Sequence, residues 1–80
     1  MKIRCTFHAI ERMRQRGIKR EEVEDCLDDP DRILEVEELK CVKRLNGKVL
    51  VVVYRKDADA VVVITAFRSS KLHRYLQTAL

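Results

Sequence analysis

Two stretches of the chain, residues 48–55 and 61–67, are apolar on both faces of a two-residue alternation: Val49-Leu50-Val51-Val52-Val53-Tyr54 in the first and Val61-Val62-Val63-Ile64-Thr65-Ala66-Phe67 in the second. A strand of this kind is stable only when both its faces are covered, so the pair is predicted to form the centre of a sheet, with residues 56–60 as the turn. Asn46-Gly47, directly before the first run, is the strongest hairpin signal in the sequence. It sets residues 40–45 antiparallel to that run, and residues 32–39 mix apolar and charged side chains as a half-exposed strand does. The expectation is an antiparallel sheet of three or four strands in meander order.

Ahead of these strands lie two helical patterns. The first begins after Thr6, whose hydroxyl can cap it, and ends at Gly17, the residue best suited to a left-handed cap. Ala9, Ile10 and Met13 form its apolar side, while His8, Arg12 and Arg16 follow one another at intervals of four and make one polar stripe. The second runs over about Arg20–Asp28, with Glu21 and Glu22 in the first turn, Val23, Cys26 and Leu27 on the buried face, and Pro30 as the stop. Ile18 and Val23 are spaced for a hydrophobic staple. A last helical pattern, capped by Ser69 or Ser70, carries Leu72, Tyr75, Leu76, Ala79 and Leu80. Its apolar face is left to pack on the sheet or on a partner.

With 80 residues there is room for one core, hiding roughly 60 to 65% of the unfolded surface. Two Gly and one Pro leave little for long loops, and 46% hydrophobic with 38% charged residues excludes a disordered or fibrous chain. No apolar run reaches the roughly 18 residues of a membrane helix, and the N-terminus has no apolar export-signal region, so a cytoplasmic location and no membrane partner are expected. The odd, widely spaced Cys5, Cys26 and Cys41 are expected to be reduced, separate thiols. Cys5-x-x-His8 has the look of half a zinc site but lacks a second pair, so neither metal nor cofactor is expected.

The net charge of +4 is unevenly distributed: residues 1–20 carry +6, residues 21–38 carry −9, and residues 39–80 carry +7. Such segregation can produce a one-sided positive field that steers a polyanion, with the acidic segment turned elsewhere. The plainer reading is a solvated surface whose opposite charges meet on folding. No phosphate-binding loop, dinucleotide fingerprint, metalloprotease or serine-hydrolase motif is present. Chemistry must then come from basic and hydroxyl groups. Metal-free RNA cleavage asks for no more: a base for the 2′-hydroxyl, an acid for the leaving 5′-oxygen, and cations for the phosphate.

The run Phe7-His8-Ala9-Ile10-Glu11-Arg12-Met13-Arg14-Gln15-Arg16-Gly17-Ile18, followed by Glu22-Val23, Asp29-Pro30, Val51-Val52-Val53-Tyr54-Arg55, Val63-Ile64-Thr65-Ala66-Phe67 and Ser70-Lys71-Leu72-His73-Arg74-Tyr75, resembles a small-domain family of uncharacterised function. That family opens with His-Ala-x-x-Arg-Met-x-x-Arg-Gly-Ile and is grouped with RelE-like and ParE-like toxins. The resemblance implies a RelE-like α+β fold, two N-terminal helices on an antiparallel sheet with a short C-terminal helix, in a single domain over residues 1–80. It places marked polar residues at His8, Arg12, Arg16, Arg55 and Thr65, with Lys71 and Tyr75 near the end. Lys19 stands where relatives have a Ser or Thr cap.

Together these give a metal-independent endoribonuclease toxin as the leading expectation. His8, Arg12, Arg16 and Tyr75 are its catalytic candidates, with His8 the preferred proton-transfer group. Arg44, Arg55, Thr65 and Lys71 are its nucleic-acid contacts, Arg44 on the strength of its strand position alone. The expected partners are RNA, on or off the ribosome, an acidic antitoxin, and a second copy through the C-terminal helix. Two rivals stand beside it: a non-catalytic nucleic-acid-binding module, and a ParE-like blocker of a replication protein. Each residue also has a duller role, His8 as a cap or packed ring, the arginines as partners of Glu11 or Glu22, Tyr75 as a core-edge aromatic, Thr65 as an ordinary strand former.

Overall fold

The computed structural model describes residues 2–76. Its elements are β1 (Lys2–Cys5), α1 (Phe7–Arg16), α2 (Arg20–Asp28), β2 (Arg32–Val36), β3 (Glu38–Leu45), β4 (Lys48–Asp57), β5 (Ala60–Ser69) and α3 (Leu72–Leu76). The fold is α+β, as expected, but the sheet is not a three- or four-stranded antiparallel meander. Five strands run in the order β1-β5-β4-β3-β2, and β1 pairs with β5 in parallel, Ile3 opposite Val61 and Cys5 opposite Val63. The remaining pairs are antiparallel.

Both helices of the N-terminal hairpin form where their caps dictate. Thr6 Oγ1 accepts from the Ala9 amide at 3.0 Å, and Gly17 ends α1 at φ 63 with its amide turned back on the Met13 and Arg14 carbonyls. At α2 the missing Ser or Thr cap is offset by Glu22, whose carboxylate accepts from the Lys19 amide at 3.0 Å. Ile18 and Val23 are both buried, as the staple requires.

The sheet has a core on each face. On the first, α1 and α2 cover Leu50, Val52 and Tyr54 of β4, Val61, Val63 and Ala66 of β5, and Cys41 of β3, through Ala9, Met13, Ile18, Val23 and Cys26. On the second, α3 lays Leu72, Tyr75 and Leu76 over Val42, Val49, Val51, Leu34 and Phe67. This answers where the last helical face goes: its described part packs on the sheet of its own chain, while Ala79 and Leu80 lie outside the described residues. Both central strands are thus covered on both sides, as their composition demanded.

The strands differ in detail from their sequence limits. The turn between β4 and β5 shrinks to Ala58-Asp59, with Ala58 at φ 56, and Asn46-Gly47 adopts positive φ at both residues as an Asn-Gly hairpin does. One irregularity matters for function. Val53 faces Thr65 and Tyr54 faces Val63, which leaves Ile64 as an extra residue in β5. The bulge changes the phase of the strand: Val61 and Val63 face the helices before it, Ala66 and Arg68 after it. Thr65 and Phe67 therefore point to the opposite face.

Candidate nucleic-acid interface

The local arrangement begins with the short length of β1. It ends at Cys5, so beyond Val63 the outer edge of β5 has no strand partner, and α1 takes its place. The Thr6 amide donates to the Val63 carbonyl at 3.1 Å, Thr6 Oγ1 to the Ile64 carbonyl at 3.4 Å, and the Arg16 guanidinium to the Ala66 carbonyl at 2.7 Å. From β5, Arg68 donates back to the Arg16 and Gly17 carbonyls at 2.9 and 3.2 Å. α1 thus runs alongside β5 in the same direction, and Ala66, with no bulk beyond Cβ, lets it approach.

This docking carries the α1 stripe to the β5 edge. His8 is exposed and, among the described residues, its ring makes no hydrogen bond. Arg12 is half-buried and donates to Gln15 at 3.3 Å. Arg16 spends one donor on the Ala66 carbonyl, leaving the others of its five N–H groups available. Across the edge, Thr65 is half-buried on the opposite face, and Tyr75 stands edge-on to Phe67 with ring centroids 6.1 Å apart. The Arg74 guanidinium lies 5.8 Å from the Tyr75 ring centroid. Arg16 is thus joined to β5 at Ala66 and Tyr75 at Phe67, with Thr65 beside them in the strand; His8 and Arg12 share the α1 stripe with Arg16, and α1 and α3 lie on opposite faces of the sheet.

The other candidates divide. Cross-strand register puts Arg44, Val49 and Ser69 in one row on the α3 face, with Lys71 just beyond Ser69. Arg55, Val62 and Arg4 form another row at the far end, and six residues of β4 separate the two, about 20 Å. Arg44 and Lys71 belong together; Arg55 does not join them. Between the rows lie Lys40, Val53 and Thr65. Val53 and Val62 are each 4% exposed although neither belongs to the α3 core, which fits the long stems of Lys40, Arg4 and Arg55 lying over them.

The α3 face of the sheet is therefore its basic face, carrying Lys2, Arg4, Lys40, Arg44 and Arg55, while Glu21, Glu24, Asp25 and Asp28 of α2 line a groove with Ile3 and Arg20 on the other side. Arg4 is paired with Asp57 at 2.9 Å, an exposed pair worth little. Arg4 and Lys40 escaped the sequence reading. The signal that would have found Arg4 is the alternation of Lys2 and Arg4 with Ile3 and Cys5, an edge-strand pattern. Phe7 was also missed as a surface feature: it is 92% exposed at the start of α1.

The cysteines correct another expectation. They are not separate: Cys26 Sγ and Cys41 Sγ lie 3.2 Å apart with both residues buried, although 15 positions divide them in sequence. Their mutual hydrogen bond, and then burial, push the Cys26 thiol well above its ordinary value. No helix among the described residues is long and apolar enough to cross a membrane, and among them no group of three His, Cys, Asp or Glu side chains comes together as a metal site would need.

The fold and surface define a small α+β domain with a basic sheet face and an imidazole-arginine stripe at one sheet edge. The chain belongs to the family described as Domain of unknown function (DUF4258), which matches residues 5–68. That match spans everything from the end of β1 to the last residues of β5. No curated protein and no solved structure matches it.

Proposed function

We propose that this domain is a RelE-like toxin, a metal-independent endoribonuclease that takes single-stranded RNA across the β5 edge. The observation carrying the reading is the attachment of the α1 stripe to the β5 edge through Arg16 and the Ala66 carbonyl, with Thr65 and the Phe67–Tyr75 pair at the adjoining strand positions, beside a basic sheet face. In the reaction, the ribose 2′-oxygen attacks the adjacent phosphorus as its proton passes to His8. The phosphorus–5′-oxygen bond breaks, and the 5′-oxygen leaves with a proton from the imidazolium or from Tyr75. A 2′,3′-cyclic phosphate and a 5′-hydroxyl result. Arg12 and the free donors of Arg16 offset charge developing on the phosphate. Lys71 and Arg44 hold phosphates to one side of the scissile bond and Arg55 to the other, as their separation on the sheet suits. RNA on the ribosome is one form of the substrate. An acidic antitoxin covering the basic face is the matching protein partner, and the C-terminal helix is the surface for a second copy.

Purified protein incubated with mixed RNA in EDTA, with and without ribosomes, tests this directly. Cleavage leaving cyclic phosphate ends, lost in the His8→Ala, Tyr75→Phe double variant while RNA binding persists, supports it. Equal cleavage by that variant removes both assignments.

One observation favours a non-catalytic nucleic-acid-binding module. His8 has no hydrogen-bonding group among the described residues to fix its tautomer, as proton-transferring histidines commonly do. That reading expects salt-sensitive binding with no cleavage in either setting. A ParE-like block of a replication protein is separated from both by a DNA gyrase assay.

A further inference from the structure

Cys26 and Cys41 come from different layers, α2 and β3, and meet inside the helix-side core at 0% and 1% exposure. Neither has any part in RNA contact. Position 26 faces Leu50, whose carbonyl its thiol also approaches at 3.9 Å, and position 41 faces Val52 across the strand pair. Any small apolar side chain would fill either site. What distinguishes two thiols is that their Sγ atoms lie within 3.2 Å, so closing a bond of about 2.05 Å asks each sulfur to move by only about half an ångström. Cys5, the third cysteine, is half-buried at the end of β1, among Ile10, Met13 and Ile18.

We propose that Cys26 and Cys41 form an oxidation site, a dithiol that closes into a disulfide joining α2 to β3. Hydrogen peroxide serves as oxidant. The sulfur of one cysteine attacks the peroxide oxygen and the O–O bond breaks, giving a sulfenic acid and water. The second sulfur then displaces the sulfenic hydroxyl as a second water. Two thiols lose two electrons and two protons, and one peroxide is reduced to two waters. The bridge closes a loop containing the end of α2 and the whole edge strand β2, which among the described residues pairs with β3 alone. It therefore fastens the acidic helix and the sheet edge to the centre of the molecule.

The test treats folded protein with hydrogen peroxide, then alkylates it in denaturant and maps the peptides by mass. The expected result is a fall from three alkylatable thiols to one, with residues 26 and 41 in the linked pair and Cys5 still alkylated. A Cys5→Ser variant should still form the bridge. The oxidised protein should melt several degrees above the reduced one, a gain absent from Cys26→Ala. Full alkylation of residues 26 and 41 after peroxide treatment, or a bridge that includes Cys5, overturns the proposal. RNA cleavage is not read at any point, so failure here leaves the ribonuclease reading untouched.

Discussion

Arg68 of β5 holds the Glu22 carboxylate of α2 with one terminal nitrogen, at 2.9 Å and 3.1 Å to its two oxygens, while the same guanidinium reaches the last carbonyls of α1. One strand residue thus fixes both helices of the hairpin. The Lys19 amide, and then Arg68, hold the Glu22 carboxyl below its ordinary value, against the opposing effect of burial. A carboxyl depressed in the folded state stabilises above its unfolded value and loses that contribution as pH falls through the folded one. Glu22→Gln should cost about 1 kcal/mol at neutral pH. In urea unfolding, the gap to wild type should narrow below about pH 4.5 and close in stronger acid.

Ala66 sits fully buried where α1 lies along β5, and Arg16 bonds to its carbonyl. Enlarging it has nowhere to go. Ala66→Leu should destabilise by about 1–3 kcal/mol, through overpacking, and should be visible as a fall of about 4–8 °C in Tm per kcal/mol.

Ala58 holds φ 56 in the β4–β5 turn, a region where a side chain costs about 1 kcal/mol or more. Ala58→Gly should relieve this and raise stability by about 0.5 kcal/mol, after the glycine's own entropy cost. A fall in the denaturation midpoint would contradict the strain argument.

Phe7, at 92% exposure, contributes no core contact, so Phe7→Ser should leave the unfolding free energy within about 0.5 kcal/mol of wild type. Arg55 should behave as a phosphate contact: Arg55→Ala should weaken RNA binding across sequences and reduce the slope of log affinity against log salt by about one. A variant with unchanged slope would place RNA elsewhere on the surface.

The central hairpin was legible because residues 48–55 and 61–67 can only be buried on two sides, and Asn46-Gly47 fixes a turn. α1 and α2 were legible because Thr6, Gly17, Glu22 and Pro30 are local signals with local effects. β1 was not. Lys2-Ile3-Arg4-Cys5 does alternate, but four residues are too few to identify a strand by themselves, and this one exists because β5 offers an edge far along the chain. The bulge at Ile64 was hidden for a related reason: a continuous apolar run does not reveal which residue is skipped, so Thr65 could be named but not assigned to a face. For the site, the His8, Arg12, Arg16 stripe follows from helical spacing. Its attachment to β5 through Arg16 and the Ala66 carbonyl depends on tertiary docking. The nearness of Cys26 and Cys41 had no sequence signal, since it arises from the packing of α2 on β3, which local patterns do not encode.

The parallel pairing of β1 with β5 also bears on how the protein is made. Among the described strands β1 comes first in the chain and has as its partner β5, the last of them, and α1 needs that same strand for its docking edge. Until β5 is in place, β1 has no ladder and the apolar side of α1 lacks part of its floor. Closure of such a distant pair is a slow step, because loop entropy is lost before any contact is gained.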